Sequence, residues 1–132
     1  MIYTVTLNPA LDYLVWLASL QEGEVNRAQK ETIQYGGKGI NVSVVLQTLG
    51  VQTTALGFTA GFTGKALQKE LEEMGLTTDF VWQKQGLTRI NVKIKGERET
   101  ELNARGPIIE KDALTLFWQK LKQVKDGLKK WG

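Results

Sequence analysis

Cysteine and histidine are both missing from the 132 residues. Their absence excludes disulfide frameworks, thiol nucleophiles and zinc sites built on Cys or His. Without histidine, a Ser-His-Asp triad is excluded as well. Long apolar runs are also missing: nothing approaches the ~20 residues of a membrane-spanning helix. The opening Met1-Ile2-Tyr3-Thr4-Val5 has neither the basic nor the apolar region of a secretory signal. The expectation is therefore a cytoplasmic protein with no membrane partner. What remains is ordinary globular composition, 42% hydrophobic and 23% charged, in a length that suits one compact domain.

The net charge is +3, and the excess sits late in the chain at Lys120, Lys122, Lys125, Lys129 and Lys130. A solvated helix face accounts for it. Nucleic-acid binding usually brings interleaved aromatics or a recognisable module, and neither occurs, so no nucleic-acid partner is expected. A modest basic excess also suits a binder of small anions.

Ile2 to Leu7 is β-branched and apolar and is punctuated by Asn8-Pro9, which predicts a strand and a turn. Tyr13 to Leu17 is a short apolar run, and Val25 to Gln34 has room for one or two short strands. After Gly36-Gly37-Lys38-Gly39, residues Val42, Val45, Leu46 and Leu49 recur at helical spacing, with Gly50 at the C-cap. Thr53 to Phe58 reads as a strand, Thr63 to Met74 as a helix capped by Gly75, and Thr78 to Trp82 as a strand. Thr88 to Lys95 alternates, and with Glu99 to Asn103 it predicts a hairpin. Pro107 is expected to open a last helix with Leu114, Phe117, Leu121 and Val124 on its buried stripe, ending at Asp126-Gly127. Helices alternating with strands predict an α/β fold with a parallel sheet, and the hairpin predicts a small antiparallel flap beside it.

The strongest local signal is Gly36-Gly37-Lys38-Gly39-Ile40-Asn41. Glycines let a ligand approach the backbone closely. The helix that follows offers unpaired N–H groups and a positive dipole end. Lys38 adds a charge, and Asn41 adds donors and an acceptor. A tight loop with a helix cap explains the same glycines. No G-x-x-x-x-G-K-[ST] and no G-x-G-x-x-G occurs, so the common nucleotide loops are not indicated. Asp12, expected on a loop after the first strand, could accept bonds from two sugar hydroxyls; alone it reads as a turn aspartate. Arg89 offers a planar fork suited to phosphate, and Arg27 has a similar status; alone each reads as a surface arginine.

Taken together these residues resemble a family. Leu7-Asn8-Pro9-Ala10-Leu11-Asp12, then Gly36 to Ser43 with Gly50 at its distance, resemble the ribokinase-like carbohydrate kinases of the phosphofructokinase B group. Thr88 to Ile94 and Thr100 to Asn103 look most like its 1-phosphofructokinase branch, with tagatose-6-phosphate kinase as the close alternative. The resemblance runs from Met1 to about Asp126. It implies the N-terminal part of a Rossmann-type α/β/α sandwich with a small β lid, residues 1–132 forming a single incomplete domain. The lid strands would lie within about 12–35 and 88–103. It also implies that Asp12 holds sugar hydroxyls, that Gly37, Lys38, Gly39 and Asn41 line the sugar site, and that Arg89 and Arg27 face a substrate phosphate. The implied reaction is ATP-dependent phosphorylation of fructose 1-phosphate to the 1,6-bisphosphate, with Mg2+. The implied partners are the sugar phosphate and a second copy meeting through lid strands. Ala60 stands where the family pattern has glycine, so a small backbone adjustment is expected there. The catalytic base and the ATP site of the family lie beyond these residues, so no catalytic residue is expected in this chain. A non-catalytic remnant that associates through its sheet edge is the other reading.

Overall fold

The computed structural model describes residues 1–129; Lys130, Trp131 and Gly132, from the expected basic tail, lie outside the described residues. The elements run β1 (Ile2–Thr6), β2 (Ala10–Trp16), β3 (Lys30–Gly36), α1 (Lys38–Thr48), β4 (Thr53–Ala60), α2 (Gly61–Glu73), β5 (Thr77–Thr78), β6 (Val81–Gln83), β7 (Arg89–Lys95), β8 (Thr100–Leu102) and α3 (Lys111–Lys129). They form two four-stranded sheets.

The main sheet is parallel. β4 pairs with β1 on one side and with β5, then β6, on the other. Seven of the eight residues of β4 are buried, as expected of a parallel strand covered on both faces. Alternation sends Leu56 and Phe58 to one layer, where Val81, Ala113 and Phe117 close a core beneath α3. The opposite layer holds Ile40, Leu67, Leu71 and Leu76, beneath α1 and α2. The result is helix, sheet, helix.

Both helices of that opposite layer end alike. Val51 N–H donates to Leu46 O (2.8 Å) and Gly50 N–H to Gln47 O (2.9 Å); Leu76 N–H donates to Leu71 O (3.0 Å) and Gly75 N–H to Glu72 O (2.9 Å). These are paired Schellman closures, and they require the positive φ of Gly50 (80°) and Gly75 (90°). The capping glycines read from the sequence are therefore real stops.

The second sheet has the order β3-β2-β7-β8, with β2 and β7 parallel and the outer pairs antiparallel. Of its strands, β7 and β8 lie within the 88–103 range expected for lid strands, whereas β2 begins before and β3 ends after the 12–35 range. Thr88 joins it to the main layer: its N–H donates to Ala60 O (2.9 Å), its Oγ1 accepts from Ala60 N–H (3.0 Å), and its carbonyl accepts from Thr63 Oγ1 (2.7 Å).

Five expectations change. Thr78 to Trp82 is two short strands, β5 and β6, both still paired to β4. Pro107 does not open α3: Glu110 N–H donates to Gln83 Oε1 (2.9 Å), and the first helical bond is Leu114 N–H to Glu110 O (2.9 Å). Nor does Asp126-Gly127 end it, since α3 continues to Lys129. Ala60 needs no backbone adjustment, because its φ of −154° and ψ of 152° are extended backbone open to any residue. The stripe of α1 also turns the other way. Ile40 and Ser43 face the sheet, Ser43 Oγ lying 2.6 Å from Thr4 Oγ1 and accepting from Thr53 Oγ1 at 2.8 Å. Val42, Val45 and Leu49 are exposed.

Candidate functional site

Asp12 sits inside β2, in the middle of the second sheet, and not on a loop as its sequence position suggested. It is buried. The parallel register places Asn91 of β7 directly beside it, and Asn91 Nδ2 donates to Asp12 Oδ1 at 3.2 Å. Lys93, two residues on and therefore on the same face, brings its Nζ to 3.5 Å from Asp12 Oδ2. Asn91 Oδ1 accepts in turn from Ala104 N–H (3.0 Å), so the amide is fixed at both ends.

Gly36 ends β3 opposite Ala10. A Cβ at Gly36 would lie 2.5 Å from Asp12 Oδ2, so only glycine leaves the carboxylate its place. At Gly37, with φ of 134°, the chain turns from β3 into α1, and a Cβ there would lie 2.5 Å from Thr6 Cγ2. Gly37 is the N-cap residue and has no side chain to cap with. Thr6 supplies the cap from β1: its Oγ1 accepts from Ile40 N–H at 3.0 Å. The earlier N–H groups of the first turn have no intrahelical partner, and Lys38 and Asn41 of that turn line the space beside the second sheet.

These residues line one cavity of about 250 Å3, walled by Asp12, Gly37, Lys38, Asn41, Arg89, by Asn91 and Lys93 of β7, by Glu101 of β8 and by Asn103 just after it. That is below the ~300–1,000 Å3 typical of drug-sized ligand sites and on the scale of a monosaccharide. Arg89 is held by Nε donating to Asn8 O (3.2 Å) and Nη1 to Ala104 O (3.4 Å), which leaves the rest of its fork for a ligand. Three cations, Lys38, Arg89 and Lys93, stand against two carboxylates, Asp12 and Glu101. The cavity can therefore take a ligand carrying both hydroxyls and negative charge.

Of the residues singled out in the sequence, the fold brings together Asp12, Gly37, Lys38, Asn41 and Arg89. Gly39 stands behind them: a Cβ there would lie 2.5 Å from Val5 O, so its work is to seat α1 against β1. Arg27 lies on the exposed loop between β2 and β3 and is not in the cavity wall. Sequence reading gave Asn91, Lys93, Glu101 and Asn103 no place in the site; they entered only within the stretches read as a hairpin and as part of the family resemblance. The available signal was the i, i+2 series Arg89, Asn91, Lys93 on a strand that also carries Ile90, Val92 and Ile94. Two faces of such different chemistry mean that the polar one can serve a ligand as well as water. Among the described residues, no cluster of three or more acidic or other metal-ligating side chains could hold a metal ion, and no helix is long and apolar enough to cross a membrane.

The family model described as pfkB family carbohydrate kinase matches residues 5–126. The chain is 46% identical over 125 residues to the 1-phosphofructokinase of Borreliella burgdorferi, covering 94% of this chain and 40% of that protein. It is 41% identical to the D-tagatose-1-phosphate kinase of Bacillus licheniformis, covering 96% of this chain and 41% of that protein. Among solved structures, a Staphylococcus aureus phosphofructokinase superposes with a TM-score of 0.86 at 44% identity, over 92% of this chain and 40% of that one. The chain thus spans about two-fifths of the length of the relatives it matches.

Proposed function

Because the chain belongs to the pfkB family of carbohydrate kinases, we propose that it supplies the sugar-phosphate-binding part of a 1-phosphofructokinase-type enzyme, with fructose 1-phosphate as the ligand. The observation that carries this reading is one cavity holding Asp12 at its floor and Lys38 and Arg89 at its rim. A carboxylate fixed by Asn91 and Lys93 accepts hydrogen bonds from adjacent sugar hydroxyls. Arg89 and Lys38 receive the phosphate, the first by its planar fork and the second as a mobile point charge. The first turn of α1 adds N–H donors and its positive dipole end. Asn41 completes the ring contacts.

ATP is the phosphoryl donor of the whole kinase in this reading, with Mg2+ at its phosphates. The described residues include no acidic cluster for that ion, and no phosphoryl-transfer step is assigned to them. What this chain's residues do is bind, orient and desolvate the acceptor sugar. The other face of the second sheet is apolar and exposed at Ile33, Ile90 and Leu102. It supports a homodimer through those strands, which would also decide whether Arg27 meets a phosphate.

Calorimetric titration of the purified chain with fructose 1-phosphate, fructose and tagatose 6-phosphate tests the reading. Saturable binding of fructose 1-phosphate, at least tenfold tighter than fructose, is expected. Equal affinity for phosphorylated and free sugar would overturn it, and a preference for tagatose 6-phosphate would move the ligand to the alternative sugar.

A further inference from the structure

We propose that Asn8, which does not line the cavity, sets its preference for a phosphorylated over a free sugar by holding Arg89 in place. The inference rests on the reading of Arg89 as the phosphate's partner and deepens it. Asn8 is a positioning residue: it acts through Arg89.

Asn8 lies in the short connection from β1, in the main sheet, to β2, in the second. Pro9 follows it and is fully buried. A residue before proline is confined to extended backbone, which narrows the directions the Asn8 carbonyl can take. That carbonyl accepts from Arg89 Nε at 3.2 Å. The other acceptor on the guanidinium is the Ala104 carbonyl, 3.4 Å from Nη1. Two acceptors on two different nitrogens fix the plane of the fork, and the plane decides where its remaining donors point.

The Ala104 carbonyl belongs to the segment between β8 and α3, outside any helix or strand. Its place is set by the residues that follow. Asn8 Nδ2 donates to Arg105 O at 2.8 Å. Gly106, at a φ of 81°, brings its backbone so close to the same amide that a Cβ would run into Asn8 Oδ1. Both acceptors of Arg89 therefore trace to one residue: the first is its own carbonyl, and the second is held through its side chain. The bonds close a ring, from Asn8 to Arg105, along the chain to Ala104, across to Arg89 and back to Asn8. A turn asparagine before proline accounts for Asn8 locally, but not for a bond to a residue 97 positions away.

The ring bears on selectivity because of what a free arginine loses on binding. Its long side chain surrenders rotamer freedom when a ligand orders it. Here the ordering precedes the ligand, so a phosphate meets donors already in place. A free sugar makes no use of them. The hydroxyl end has its own amide: Asn91 Oδ1 accepts from Ala104 N–H (3.0 Å), and its Nδ2 donates to Asp12. Two asparagines thus grip the same short segment, Asn91 for the hydroxyl end and Asn8 for the phosphate end.

The test is a double-mutant cycle on the full chain. It reads, by calorimetry, the ratio of affinities for fructose 1-phosphate and fructose. Asn8→Ala is expected to lower the ratio by roughly fivefold, the scale of immobilising one rotamer-rich side chain. The loss should fall on the phosphorylated sugar, with fructose affinity unchanged. Arg89→Lys keeps the charge, removes the fork, and is expected to lower the ratio by at least as much. The double variant is expected to match Arg89→Lys alone. Asn91→Ala is expected to weaken both sugars alike. A ratio unchanged in Asn8→Ala, even with a lower melting temperature, makes Asn8 merely structural and overturns the proposal. So do single effects that simply multiply in the double variant. Either result leaves the phosphate reading of Arg89 standing, whereas a ratio unchanged in Arg89→Lys overturns that reading and the proposal with it. The unsubstituted chain gives a second readout, which holds even if Asn8→Ala fails to fold. The Arg89 Nε–H resonance, identified by its loss in Arg89→Lys, is expected to exchange with water several-fold more slowly than that of the exposed Arg27. Equal exchange overturns the proposal.

Discussion

Asn91 and Asp12 face each other across neighbouring parallel strands, and the 3.2 Å bond from Asn91 Nδ2 to Asp12 Oδ1 sets the angle of a buried carboxylate. The same amide accepts from Ala104 N–H at 3.0 Å. Asn91 thus ties the floor of the cavity to the segment after β8. Replacing it by alanine frees Asp12 to swing toward Lys93. Asn91→Ala is expected to weaken fructose 1-phosphate binding about tenfold, or about 1.4 kcal/mol, and Asp12→Asn by at least as much. Calorimetry reads both effects. A melting temperature that falls while affinity holds would mean that the pair is purely structural.

Gly36 and Gly39 make a contrasting pair. A methyl at Gly36 meets the Asp12 carboxylate, whereas a methyl at Gly39 meets the backbone carbonyl of Val5 and Thr6 Oγ1. Gly36→Ala is expected to reduce ligand affinity more than stability. Gly39→Ala is expected to cost about 1–3 kcal/mol of folding free energy, the usual range for overpacking against groups that cannot yield. Denaturant melts alongside titrations of the two variants separate the outcomes.

Thr6 caps α1 from another element. Thr6→Val keeps the shape and removes the acceptor for Ile40 N–H. The expected loss is about 1–2 kcal/mol, as for other removed caps and orphaned donors. It should appear as faster hydrogen exchange at the first turn of α1, which no change to the cavity alone would produce.

Tyr13 lies on the face of β2 away from the cavity and donates its hydroxyl to Glu31 Oε2 at 2.6 Å. That bond, then some burial, then the nearby negative charge, raises its pKa above the ordinary 10.0. A pKa raised on folding means that the bond's contribution to stability is fully present below pH 10.0. It is lost as pH climbs through the folded value. Spectrophotometric titration should show one of the three tyrosines ionising late, and Glu31→Ala should return it to the ordinary range.

Much of this was legible in advance, for physical reasons that differ by element. The stops at Gly50 and Gly75 could be read because only glycine closes those turns. Strand β7 could be read because Ile90, Val92 and Ile94 alternate with polar residues. The cavity was half legible: the Gly36–Asn41 run and Asp12 announce close approach and charge by residue type alone. Asn91 and Lys93 do not, since their role comes from the β2–β7 register, a pairing of residues about eighty apart in sequence. Pro107 misled because proline suits a first helical turn equally well in general. The side chain of Gln83, remote in sequence, sets the real start at Glu110. Spacing on α1 was read correctly, but spacing does not say which of two stripes meets the sheet.

The three bonds that fasten Thr88 to Ala60 and Thr63 make that residue a pivot. Any swing of the second sheet turns about it, and displacement grows along β7 by the strand rise of about 3.3 Å per residue. A rotation of about ten degrees carries Lys95 roughly 4 Å but Arg89, next to the pivot, well under 1 Å. Such a rotation would leave Arg89 nearly in place and would carry Lys93 and Glu101 further. In the proposed binding reading, the phosphate would therefore meet the part of the second sheet that such a swing displaces least.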